Sequence, residues 1–94
     1  MENSSTIGKN RDSTQVQYEI LKTLIDGGTT KTRIMQLTMV SWKMLHKHLS
    51  GLEQLQLLRY AEDPDTKIYL TDKGEEFLQK YEKLIEIFDL RKIV

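Results

Sequence analysis

The run Leu57-Leu58-Arg59-Tyr60-Ala61-Glu62-Asp63-Pro64-Asp65-Thr66-Lys67-Ile68-Tyr69-Leu70-Thr71-Asp72-Lys73-Gly74-Glu75-Glu76-Phe77-Leu78 decides how this chain folds. Residues 57–61 and 67–70 are short runs of strand-forming side chains, and the segment 62–66 between them is turn chemistry, with Pro fixing φ and Asp bonding its own backbone. They read as a two-stranded hairpin. An isolated hairpin is unstable in water, so this one must pack against helices. Immediately afterwards the period becomes helical. Thr71 or Asp72 is placed to cap a helix that runs from about Lys73 to the end without a breaker. At ~1.5 Å per residue such a helix reaches about 30 Å. That is more than a small domain needs, so its outer half is expected to project.

Upstream lie the helices that the hairpin needs. Residues 1–12 are rich in Ser, Asn and Gly with one aliphatic side chain, and read as a flexible tail. Asp12 or Ser13 then caps a first helix over about 13–26, with Val16, Ile20, Leu21, Leu24 and Ile25 recurring at helical intervals until Gly27-Gly28. Thr29 or Thr30 caps a second helix of about eight residues from Lys31, carrying Ile34, Met35, Thr38 and Met39 on its apolar side. Ser41 caps a third helix over about 41–54, with Leu45, Leu49 and Leu52 on one stripe and Leu55 finishing it. The order is helix, short helix, helix, hairpin, long helix: mainly α with a small β-hairpin, an α+β class.

The 94 residues carry 14 Lys+Arg, 14 Asp+Glu and no Cys, which describes one small domain with room for one core. No run approaches the 18 or so apolar residues of a membrane span. The absence of Cys fits a reducing, cytoplasmic setting, and the polar N-terminus has no signal-peptide pattern. A domain this short is usually marginal alone, so a partner subunit is expected.

An enzyme reading finds no cysteine nucleophile, no Gly-rich phosphate loop and no metal motif, so neither a cofactor nor a small-molecule substrate is expected. His46 and His48 are two residues apart on a helix and point about 200° apart, so they cannot hold one metal ion; both read as facing solvent or phosphate, and the sequence leaves open whether their titration makes binding pH-sensitive. Asp63/Asp65 and Glu75/Glu76 are a turn and a helix N-terminal turn, not a catalytic pair.

The neutral total charge conceals an asymmetry. Between Asp26 and Glu53 the chain holds Lys31, Arg33, Lys43, Lys47, His46 and His48 and no carboxylate. A local positive field is thus built into a neutral protein, which favours an anionic partner. Lys43, His46, Lys47 and Ser50 stand at i, i+3, i+4 and i+7, on one face of the third helix and within reach of base edges or phosphates. Lys31, Arg33 and the N-terminus of the second helix would meet the DNA backbone. Ser41 and Trp42 begin the third helix. Trp42 could stack on sugar or groove wall, although partial burial against the second helix is the preferred reading. Tyr60 and Tyr69 read as cross-strand packing rather than base stacking.

The segments Thr32-Arg33-Ile34-Met35 and Val40-Ser41-Trp42, then Leu49, Leu52, Leu55 and Leu57-Leu58, and above all Ile68-Tyr69-Leu70-Thr71-Asp72-Lys73-Gly74-Glu75-Glu76-Phe77-Leu78, resemble the small archaeal winged-helix DNA-binding proteins. The resemblance covers about residues 13–92. It implies a winged helix-turn-helix with the third helix as recognition helix, the hairpin as wing and the long C-terminal helix as an antiparallel coiled-coil dimerisation arm. The acidic sequence Glu62-Asp63-Pro64-Asp65 departs from the basic wing tip of many relatives, leaving Arg59 and Lys67 at the wing's base as its weak DNA contacts.

The arm can also be argued from spacing. Phe77, Tyr81, Leu84 and Phe88 follow a heptad-like interval beside Leu78 and Ile85, flanked by Lys80, Glu82, Lys83 and Glu86. Phe77, Leu78 and Tyr81 are close enough to the body to pack on the first helix. Leu84, Ile85, Ile87, Phe88 and Leu90 would be wet on a monomer, which predicts a homodimer through Tyr81, Leu84, Ile85 and Phe88. The expected organisation is tail 1–12, winged-helix domain 13–72 and dimer arm 73–94. The expected function is a sequence-selective double-stranded DNA-binding homodimer that regulates transcription. The alternatives are a winged-helix protein-interaction module, which the acid-free third helix disfavours, and a nonspecific nucleoid-associated protein, which the neutral charge disfavours.

Overall fold

The computed structural model describes residues 12–62 and 66–93, with side chains described to residue 88. Residues 1–11 of the expected tail and the acidic tip Asp63-Pro64-Asp65 lie outside the described residues, while Asp12 caps the first helix. The elements are α1 (Ser13–Lys22), α2 (Lys31–Thr38), α3 (Trp42–Gln54), β1 (Leu58–Tyr60), β2 (Ile68–Leu70) and α4 (Asp72–Ile93). This is the winged helix-turn-helix arrangement, mainly helical with one antiparallel hairpin.

Local chemistry sets each boundary. The side chains of Asp12, Thr30 and Ser41 accept from the amides of Gln15, Arg33 and Met44, so each of the first three helices starts at an N-cap. The end of α1 differs from expectation: the helix stops at Lys22, ahead of the glycines. The Thr23 hydroxyl donates to the Ile20 carbonyl at 2.6 Å, and Leu24 and Ile25 bond back three residues instead of four. These tighter turns carry Leu24 into the core but leave Ile25 exposed.

The end of α3 is a Schellman motif, with Leu57 N–H on the Leu52 carbonyl at 3.0 Å and Gln56 N–H on that of Glu53 at 2.9 Å. Gln56 takes the left-handed conformation at φ 64. The reversal sends Leu57 inward in place of Leu55, which is exposed rather than the last residue of the apolar stripe.

Thr71 joins this corner to the arm. Its hydroxyl donates to the Gln56 carbonyl at 2.6 Å and accepts from Gly74 N at 2.9 Å, capping α4. A Cβ at Gly74 would run into the Leu57 carbonyl and the Leu70 side chain, so this close approach needs glycine. The core is built from Ile20 and Leu21 of α1, Leu24 of the turns that follow it, Ile34 of α2, Leu45, Leu49 and Leu52 of α3, Leu58 and Ile68 of the hairpin, and Leu78 of α4.

β1 and β2 pair Leu58 with Leu70, Arg59 with Tyr69 and Tyr60 with Ile68. A further bridge ties the hairpin to the helices: Thr29 N–H bonds the Ile68 carbonyl at 3.1 Å and Ile68 N–H that of Thr29 at 2.8 Å. This answers the hairpin's need for support and locks β2 directly ahead of α2. No described helix is long and apolar enough to cross a membrane.

Candidate nucleic-acid interface

The interface begins with the tight connection between α2 and α3. Met39 closes α2 in the left-handed conformation at φ 60, with its N–H on the Met35 carbonyl at 2.8 Å. Val40 is buried, and Ser41 opens α3. Burial of Leu45, Leu49 and Leu52 fixes the rotation of α3, and that rotation turns Trp42, Lys43, His46, Lys47 and Ser50 outward, all exposed. The expected face is therefore assembled on one side of one helix.

Arg33 is exposed beside the cap of α2, whereas Lys31 is half-buried with its ammonium 5.6 Å from the centre of the Tyr60 ring. On the hairpin, the Arg59 guanidinium lies 4.8 Å from the Tyr69 ring centre, and Lys67 is exposed. Tyr60 and Tyr69 therefore sit opposite Ile68 and Arg59 across the ladder rather than opposite each other, and each ring carries a cation. Sequence spacing missed this pairing; alternation of Arg59-Tyr60 with Lys67-Ile68-Tyr69 was the available signal. Among the described residues, none of Lys31, Arg33, Lys43 and Lys47 is in an ion pair, and Arg33, Lys43 and Lys47 are exposed to solvent.

One side chain of α3 differs from expectation. His48 does not face solvent or phosphate: it is 5% exposed, and Gln17 Nε2 lies 3.5 Å from its Nδ1. Burial, reinforced by the Lys47 charge, lowers its pKa below 6.5. Its place three residues after Leu45 and four before Leu52 puts it on the apolar stripe, and position outweighs polarity there. For Trp42 the expectation is partial burial against α2. It is 47% exposed, with its ring edge-on to that of His46 at 4.8 Å.

The arm leaves the body through a polar clasp that spacing did not reveal. Tyr18 Oη donates to Glu82 Oε2 at 3.0 Å, and Lys22 Nζ donates to both at 3.0 Å. The Tyr18 hydroxyl and the Glu82 carboxylate hold the Lys22 pKa above its ordinary value, and Lys22 with Tyr18 holds Glu82 below its own. Tyr81 packs its ring 4.7 Å from Tyr18 and 5.9 Å from Phe77, so this side chain serves the attachment to α1 within the chain. Further out, Leu84 is 53% and Phe88 58% exposed, Ile87 is exposed and Ile85 is half-buried. The Leu90 side chain lies outside the described residues.

A family model described as winged helix-turn-helix matches residues 10–89. No curated protein matches the chain by sequence. Among solved structures, the chain is similar to Sso10a-2, a DNA-binding protein from Sulfolobus solfataricus, with TM-score 0.76 and 22% identity over 87% of this chain and 86% of that one. It is also similar to Sco5413, a MarR family transcriptional regulator from Streptomyces coelicolor, with TM-score 0.74 and 24% identity over 81% of this chain and 56% of that one. A third is MepR, a transcription regulator of the Staphylococcus aureus multidrug efflux pump MepA, with TM-score 0.74 and 18% identity over 83% of this chain and 62% of that one. The chain thus spans less than two thirds of the length of these last two regulators. At these identities the likeness is one of fold.

Proposed function

Because the chain belongs to the winged helix-turn-helix family, we propose that it binds double-stranded DNA as a homodimer, prefers particular sequences and regulates transcription. The observation that carries this reading is the exposed α3 face, where Lys43, His46, Lys47 and Ser50 stand together in a stretch without a carboxylate from Gly27 to Leu52. Helix α3 enters the major groove, Lys43, His46 and Ser50 meet base edges, and Lys47 meets phosphate. Lys31, Arg33 and the α2 N-terminus anchor the backbone alongside, where a positive helix end and cationic side chains favour phosphate. Ser41 serves as the cap that orients this end of α3, while Arg59 and Lys67 make minor contacts from the base of the wing.

Pairing supplies the second recognition helix. The outer half of α4 leaves Leu84, Ile87 and Phe88 in water on one copy of the chain. Covering such side chains is worth about 1.5–3 kcal/mol each, enough together to hold a second copy. Two recognition helices on one duplex suit a palindromic site.

Fluorescence anisotropy of an end-labelled random-sequence duplex, titrated with protein at several salt concentrations, tests this function. The reading expects a binding constant that falls linearly with salt on logarithmic axes, because phosphate contacts release counterions. Absence of binding at low salt would overturn it and leave α4 as a surface for another protein.

A further inference from the structure

We infer that Trp42 reads the 5-methyl group of a pyrimidine in the major groove, making it a specificity-determining residue; the inference rests on the DNA-binding function proposed above. Trp42 is the chain's single tryptophan and the first residue of α3. A large aromatic ring normally gains most of its stabilisation by burial, yet this one is 47% exposed. It is held by a neighbour four residues along, the His46 ring set edge-on at 4.8 Å. Residues four apart share a helical face, so the indole lies on the same side of α3 as Lys43, His46, Lys47 and Ser50.

The chemistry of the ring restricts what it can recognise there. Indole offers a single N–H donor and no acceptor, so it cannot make the two-point hydrogen bonding by which Arg, Asn or Gln identify a base. Its remaining perimeter is apolar, and the apolar group that base pairs present in the major groove is the C5-methyl of thymine. Stacking on a base face needs bases splayed from the duplex, as in single strands. A helix anchored on paired DNA by Lys43 and Lys47 meets base edges instead. The cations around Trp42 bring it to the duplex, and the His46 contact limits the rotamer freedom that binding would otherwise remove.

The test uses four duplexes of one length: alternating A·T, the same with uracil for thymine, alternating G·C, and the same with 5-methylcytosine for cytosine. Anisotropy of an end label gives affinity, and emission of the sole tryptophan gives a direct readout of Trp42. The expected result is that each methylated duplex binds about four-fold tighter per contacted methyl than its unmethylated counterpart, and shifts tryptophan emission further. In Trp42→Ala the affinity difference disappears while salt-dependent binding persists. Equal affinity and equal emission with and without the methyl, in the wild-type protein, would overturn this inference and leave DNA binding intact. A methyl preference that survives in Trp42→Ala would overturn the assignment to Trp42. No binding to any of the four would overturn the DNA-binding reading on which it depends.

Discussion

His48 shows how a single position inside α3 links fold and pH. Burial keeps its ring neutral, with a pKa lowered from 6.5, while in the unfolded chain the ring takes up a proton at the ordinary value. Above that value both states are neutral and the residue contributes no pH dependence. As pH falls through it, the unfolded state binds the proton first, and stability declines. Urea midpoints measured between about pH 7.5 and pH 5.5 should fall for the wild-type protein, and the fall should flatten in His48→Leu. An unchanged slope in that variant would mean that the ring is not a buried titrating group. The residue was legible by position, between Leu45 and Leu52, but not by type, because histidine is equally at home on a polar face. Trp42 has the opposite history: aromatic character suggests burial, and only the folded chain shows the ring 47% exposed and edge-on to His46.

Among the elements, the order of helices and strands was written in the sequence because caps are local chemistry. Thr30 and Ser41 each bond the amide three residues ahead, and the eight residues of α2 fall where the cap and period place them. What local pattern could not give are contacts between segments distant in the chain. The Thr29–Ile68 bridge is one. The clasp of Tyr18, Lys22 and Glu82 is another: its members are far apart in sequence and meet only when α4 crosses α1. Since Glu82 accepts from both partners, Glu82→Gln weakens the charge-assisted bonds, and amides of α4 from about Leu78 to Ile85 should exchange with solvent faster while those of α3 are unaffected. Because Glu82 is held below its ordinary pKa, its contribution is present above the ordinary carboxylate range and lost as pH falls through the lowered value. Identical exchange in variant and wild type would show that the aromatic contacts alone fasten the arm.

On the scale of the whole molecule, a compact α1–α3 and hairpin body carries a 22-residue helix, about 33 Å long, on which Leu84, Ile87 and Phe88 are exposed among the described residues. The heptad-like spacing made the outer half of the arm legible from sequence, while its inner half is held to α1 through Tyr81 and to the core through Leu78. Sedimentation equilibrium should give twice the 11.0 kDa chain mass for the wild type, and the chain mass for Leu84→Glu combined with Phe88→Glu, with the helical circular dichroism of the body retained. A monomeric wild type at micromolar concentration would contradict the proposed pairing.

The α3 face joins these scales, since its rotation is set by buried leucines, and in the proposed function α2 guides its approach to DNA and the arm duplicates it. Its role is tested most directly by comparing the salt dependence of duplex binding for the wild-type protein and for Lys43→Ala combined with Lys47→Ala. Removal of two cations from this face, Lys47 proposed at phosphate and Lys43 proposed at base edges, should weaken binding and lower the slope of log affinity against log salt by about one to two per subunit, with unfolding midpoints unchanged. An unaltered slope in a folded double variant would contradict the assignment of this face to DNA.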